Sequence, residues 1–155
     1  MEINNELDNE IQRPTWNQYF KDIVTLTSKR SPCKRLKVGC LLVKDNRIIS
    51  QGYNGFPRGV NDDPAILNDR EQKLERVVHA EMNVIYNASF NGISLADSTL
   101  YVYGLPCCHD CAKGVIQVGI KRIVMSKQHQ TDRWKESWEK SMKMFREAEV
   151  RWEFI

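Results

Sequence analysis

His79-Ala80-Glu81 and Pro106-Cys107-Cys108-His109-Asp110-Cys111 bring together one imidazole, thiols at C-x-x-C spacing and a carboxylate just beyond the histidine. Three protein ligands leave the fourth tetrahedral position of a zinc ion for water, which marks a catalytic rather than a structural site. Glu81 is then free to move protons. Either piece alone is weak, since H-x-E recurs as a polar helix turn and a lone C-x-x-C serves equally as a redox pair or half of a structural zinc site. Together they are specific, because each stands where a helix-like segment begins after a loop.

Working outward, residues 78–88 read as a helix carrying His79 and Glu81 in its first turn. Residues 99–103 read as a strand broken by Gly104-Leu105-Pro106. Residues 108–118 read as a second helix closed by Gly119 at C′, and 121–125 as a further strand. Upstream, Thr15 is the expected N-cap of a helix whose Trp16, Tyr19, Phe20, Ile23 and Val24 share one apolar, core-facing side. Residues 38–43 and 47–53 form a hairpin through Lys44-Asp45-Asn46. The charged stretch 60–76 has little hydrophobic pattern and reads as a long loop or one containing a short irregular helix, with Asp62, Asp63 and Asp69 expected on the surface rather than binding a cation or ordering basic neighbours. After a polar loop at 127–132, Trp134, Trp138, Met142 and Phe145 mark a last helix, and Val150, Trp152 and Phe154 alternate as a half-buried strand. The order αββαβαβ(αβ) predicts an α/β fold, a mixed sheet with helices on its faces. Residues 1–13 read as a flexible arm and 14–155 as one domain.

With 41% hydrophobic and 28% charged residues, the composition is that of a soluble globular protein. The net charge of +3 is too small and too evenly spread for a nucleic-acid footprint. No run approaches the roughly 18 apolar residues of a membrane span, and residues 1–13 do not read as a signal peptide. Five cysteines, an odd number, fit a reducing cytoplasmic setting better than a disulfide framework. Neither a membrane nor a nucleic acid is an expected partner.

Pro106 is followed by two cysteines, so Cys107 with Cys111 gives C-x-x-x-C, whereas Cys108 with Cys111 gives C-x-x-C. The second register is preferred because residues three apart share a helix face. Cys107 is then a small buried residue without a ligand role, His109 a surface side chain, and His129 a loop residue without a partner in the sequence. The basic loop 29–37, with Lys29, Arg30, Lys34, Arg35 and Lys37, is either a solvated linker or a phosphate clamp. Asn54, leaving the second strand, either points into a pocket or caps a turn with its own amide.

Gly52-Tyr53-Asn54-Gly55-Phe56-Pro57-Arg58-Gly59, His79-Ala80-Glu81-Met82-Asn83, Cys108-His109-Asp110-Cys111-Ala112-Lys113 and Gln117-Val118-Gly119-Ile120-Lys121 together resemble the deoxycytidylate (dCMP) deaminases of the cytidine deaminase superfamily, over residues 16–125. The resemblance implies a three-layer cytidine-deaminase-like fold with a central mixed five-stranded sheet and helices on both faces. It implies hydrolytic deamination of dCMP to dUMP and ammonia, supplying dUMP for dTMP synthesis. It also implies Zn2+ on His79, Cys108 and Cys111, Glu81 as proton shuttle and Asn54 on the deoxyribose. Members are commonly homohexamers, activated by dCTP and inhibited by dTTP with Mg2+. Their regulatory nucleotide would lie near Gly52, Tyr53, Asn54, Gly55, Phe56, Pro57, Arg58, Gly59 and Asp62. A 5′-monophosphate needs cations, and Arg30 and Arg35 are the expected ones, because arginine can meet phosphate bidentately. The competing readings are a bifunctional dCMP/dCTP deaminase, a tRNA adenosine deaminase, and a non-enzymatic, zinc-stabilised nucleotide sensor.

Overall fold

The structure, a computed structural model, describes residues 13–126 and 132–155. The expected arm lies almost wholly outside the described residues, as do His129 and nearly all of the expected loop at 127–132. Thr15 accepts the N–H of Gln18 at 3.2 Å and opens α1 (Trp16–Ser28), satisfying one of the donors that a helix start leaves free. Phe20 and Val24 are buried as expected, but Trp16 and Tyr19 are exposed and gather around Phe20. The contact is narrow because the helix lies very close to the first strand. A Cβ on Gly39 would stand 2.6 Å from the Val24 carbonyl, so few helix positions can insert side chains between helix and sheet.

Strands β1 (Gly39–Lys44) and β2 (Arg47–Tyr53) form the expected hairpin. Asp45 and Asn46 between them both take positive φ, 51° and 58°, the left-handed two-residue turn that matches strand twist. With β3 (Thr99–Tyr103), β4 (Arg122–Met125) and β5 (Arg151–Phe154), they make a five-stranded sheet in the order β2-β1-β3-β4-β5. β1 runs antiparallel to both neighbours, while β3, β4 and β5 are parallel. Parallel neighbours need crossovers, and α5 (His109–Gln117) and α6 (Asp132–Glu147) supply them.

Side chains alternate across the pleat. Leu41, Val43, Tyr101 and Val124 pack with Phe20 and Val24 of α1 on one face. Cys40, Leu42, Leu100, Val102, Ile123 and Met125 face the other, under α4 (Ala80–Phe90), α5 and α6. The fold is thus the mixed five-stranded sheet with helices on both faces. α4 lies directly on β2, where a Cβ on Gly52 would come within 2.6 Å of the Val84 amide nitrogen.

The stretch 60–76 is more ordered than expected. It holds two short helices, α2 (Pro64–Asn68) and α3 (Arg70–Arg76). Asp63 and Asp69 are their N-caps, accepting from Ala65 N at 2.8 Å and Gln72 N at 3.1 Å, which is why two aspartates recur there. Among the described residues, no helix is long and apolar enough to cross a membrane.

Candidate active site and metal centre

His79 and Cys108 each occupy an N-cap position, at the starts of α4 and α5, with extended backbone, and neither side chain caps its own helix. A Ser or Asp there would turn back onto the first-turn N–H groups. Imidazole and thiol instead project to a common point. Gly55 and Val78 exchange backbone hydrogen bonds of 3.1 and 2.8 Å, fixing the residue before His79 to the chain leaving β2. His79, expected within the first helical turn, therefore precedes it.

His79 Nδ1 lies 3.4 Å from both Cys108 Sγ and Cys111 Sγ, and the three ligand atoms fall within 4.8 Å of one another. A tetrahedral zinc with ordinary Zn–N and Zn–S bonds has N···S edges of about 3.6 Å. The donor set and its spacing fit the ion.

Glu81, in the first turn of α4, is only 4% exposed. Burial, then the neighbouring Cys108 thiolate, raise its carboxyl to about 7. A carboxyl poised near neutrality both takes and returns a proton. The Cys108 thiol is drawn down to about 4 by a hydrogen bond from Cys111 and then by His79, while Cys111 is pushed up by the same contact. His79 rises to about 9, chiefly through its hydrogen bond with Cys108. Protons thus hold the ligand set together, and a divalent cation would replace them.

Cys107 is fully buried, lies outside the group of three ligand atoms and uses its carbonyl to accept from Ser141 Oγ at 2.8 Å. His109 corrects the sequence reading. It is half-buried, with its backbone N–H and Nδ1 both within 3.0 Å of Ser137 Oγ, and it docks α5 onto α6. A surface reading from its polarity missed the hydroxyl waiting on α6.

A cavity of about 340 Å³ opens above His79, Glu81 and Cys108. Asn54 lines it, but its amide is also structural: Oδ1 accepts from Val38 N at 2.8 Å and Nδ2 donates to Leu36 O at 2.9 Å. One N–H and one lone pair remain for a ligand. The basic loop is no solvated linker, because Ser31 Oγ donates to the Asn54 carbonyl at 2.7 Å. Lys34 and Arg35 of that loop reach the cavity. Arg30 does not line it and sits 5.9 Å from the centre of the Tyr53 ring, turned to another side. The sequence reading missed Arg70 and Lys73 of α3 and Arg133 and Trp134 of α6, which complete the wall. For α3 a signal existed, Asp69 capping with Gln72 three residues on. For Arg133 none did.

Residues 14–127 match the zinc-binding region of the cytidine and deoxycytidylate deaminases. The chain belongs to that family. ComE operon protein 2 of Bacillus subtilis is 38% identical over 124 residues, covering 78% of this chain and 64% of the relative. The probable deoxycytidylate deaminase of Drosophila melanogaster is 40% identical over 120 residues, covering 70% and 58%. The chain thus spans about three-fifths of the length of these relatives. In fold, it is similar to the dCMP deaminase of cyanophage S-TIM5 solved with dCMP and dUMP, with a TM-score of 0.77 at 24% identity, covering 92% of this chain and 98% of that one.

This member of the family carries a second cavity of about 610 Å³ behind the Gly55–Val78 bridge. Tyr53, Gly55, Phe56, Pro57, Arg58 and Asp62 line it, whereas Asn54 faces the first cavity. Gly52 and Gly59 line neither, Gly52 serving the approach of α4. The glycine-rich loop is therefore divided between two spaces.

Proposed function

We propose that the chain is a zinc-dependent dCMP deaminase, converting dCMP and water to dUMP and ammonia. The observation that carries this is the meeting of His79, Cys108, Cys111 and Glu81 at the floor of a cavity with cations around its mouth. When bound by the three ligands, zinc acidifies water to near neutrality and so supplies the nucleophile. Glu81 accepts the water's proton and gives it to ring N3 of the cytosine. The oxygen adds at C4, and Glu81 then carries a proton to the exocyclic amine, which leaves as ammonia while the C4 carbonyl forms. Asn54 orients the deoxyribose through its spare N–H, and Arg35 holds part of the phosphate charge. Leu36, Val38 and Pro106 make the apolar walls that exclude bulk water from the base.

The carboxylate beside the ligand set speaks against the non-enzymatic sensor, since a structural zinc has no use for it. The second cavity supports a regulatory nucleotide site using Tyr53, Gly55, Phe56, Pro57, Arg58 and Asp62, for dCTP as activator and for dTTP with Mg2+ as inhibitor. The Gly55–Val78 bridge, which lines the second cavity and directly adjoins Asn54 and His79 of the first, would carry its effect to His79. A homohexamer in the cytoplasm completes the reading, with light scattering as the check on assembly.

The deciding experiment measures ammonia release from dCMP, dCTP, cytidine, deoxycytidine and adenosine-containing RNA, each with and without dCTP or dTTP. Preference for dCMP is expected. Comparable turnover of dCTP would make the enzyme bifunctional, and turnover of RNA alone would overturn the nucleotide reading.

A further inference from the structure

The helix α3 buries no residue, so packing into the core does not explain why it forms. It does present one face to the cavity: Arg70, Lys73 and Leu74, at i, i+3 and i+4, all line it. Leu74 is 54% exposed, an apolar side chain open to that space. The first turn of α6 contributes too: the Arg133 guanidinium lies 5.3 Å from the centre of the Trp134 ring and both line the same cavity. α6 begins at Asp132, so Arg133 lies outside the matched region 14–127. Among the described residues, none of Lys34, Arg35, Arg70, Lys73 and Arg133 is paired with a carboxylate. Among the described residues, the only acid lining the cavity is Glu81, at its floor. Five unneutralised cations and an apolar ledge make a mouth suited to a sugar phosphate, with charge to meet the phosphate and flat surface to meet the rest.

We propose that α3 and the first turn of α6 read the substrate's 5′-phosphate, with Arg70, Lys73 and Arg133 setting the preference for a nucleotide over a nucleoside. This rests on the nucleotide reading of the cavity and extends it to residues outside the basic loop at 29–37. Arg133 reaches the cavity from a different element than Arg70 and Lys73, so the phosphate is met by side chains of two separate helices. These are specificity residues and do not touch the reacting carbon.

The test is calorimetric binding of dUMP and deoxyuridine to the zinc-loaded full chain. Wild-type protein is expected to hold dUMP more tightly than deoxyuridine. Arg133→Ala and the double variant Arg70→Ala/Lys73→Ala should each weaken dUMP binding by about tenfold or more, the worth of a charge-assisted hydrogen bond, and leave deoxyuridine unchanged. Arg133→Lys should recover part of the loss. Lys143→Ala, exposed on α6 and outside the cavity lining, should change neither. Equal losses for both ligands, no loss for either, or a wild type indifferent to the phosphate would each overturn the proposal. If the binding pattern holds but dCMP is not deaminated, the proposed reaction fails and this inference stands. If dCMP is deaminated and the variants bind dUMP normally, this inference alone fails.

Discussion

The floor and the mouth of the active cavity are built on opposite principles. At the floor, three ligand atoms lie within 4.8 Å of one another and a buried carboxyl stands beside them, so no atom has a substitute. At the mouth, five cations from a loop, a short helix and the start of a long one share one task over a wider space. Coordination depends on contact, whereas Coulomb attraction falls off slowly and is screened by water and salt. The contrast teaches where this protein can tolerate change: variation at the floor should be all or nothing, and at the mouth graded.

The largest effects should come from the ligand set. His79→Ala, Cys108→Ser and Cys111→Ser should each lose stoichiometric zinc and all measurable turnover, while Cys107→Ser keeps the metal. Metal analysis of the purified variants checks this, and zinc retained by Cys108→Ser but lost from Cys107→Ser would reverse the register. Wild-type zinc affinity should also depend on pH. His79 is raised to about 9 and Cys111 is raised too, so at neutral pH both must release protons on binding. Affinity should therefore fall as pH is lowered from 9 toward 6, by competition with a chelator. An affinity flat across that window would show that the ligands are not held together by protons when metal-free.

Next in size is Glu81→Gln. It keeps the shape of the floor and removes the proton carrier, so zinc should remain bound while kcat drops at least about 100-fold. A variant with near-native turnover would place the proton transfer elsewhere and leave the floor with no catalytic acid.

The floor was legible in the sequence because its chemistry is encoded in short spacings. His79 and Glu81 share a helix start, Cys108 and Cys111 lie one helical turn apart, and each pair announces itself without the fold. The hairpin was legible for the same local reason, Asp45 and Asn46 being residues that accept positive φ. The mouth was legible only in part. The density of charge in the 29–37 loop pointed to Lys34 and Arg35, but Arg70, Lys73 and Arg133 are ordinary cations in sequence, and only the packing of three separate elements makes all five neighbours. Net charge misled as well: +3 looked evenly spread, yet five cations converge on one opening. Arg30, chosen for density of charge along the chain, faces Tyr53 because adjacent residues of a tethered loop point different ways. Trp16 and Tyr19 fit the helical stripe but lie beyond the narrow contact that Gly39 permits.

Asn54 sits between the two regimes, lining the cavity and bonding the backbone of Leu36 and Val38. Asn54→Ala strands a buried N–H and a carbonyl, so stability should fall by about 1–3 kcal/mol in urea denaturation, the cost of leaving buried polar groups unpaired. The same variant should raise KM for dCMP, because residues 34–36 lose their anchor. A rise in KM with unchanged stability would mean that the amide serves the ligand alone.

The smallest effect tests the graded character of the mouth directly. Lys34 is exposed, its ammonium strongly hydrated, and it shares its field with four other cations. Its removal should cost no more than an exposed ion pair, up to about 1 kcal/mol or roughly fivefold in kcat/KM for dCMP. Raising salt from 0.05 to 0.5 M shortens the Debye length from roughly 14 to 4 Å. Wild-type kcat/KM for dCMP should therefore fall with salt, that for deoxycytidine should not, and zinc content should not change. In Lys34→Ala the salt dependence should be shallower but still present, because four of the five cations remain. If instead Lys34→Ala were as damaging as Glu81→Gln, the mouth would hold one indispensable contact like those below it, and the difference between the two ends of the cavity would disappear.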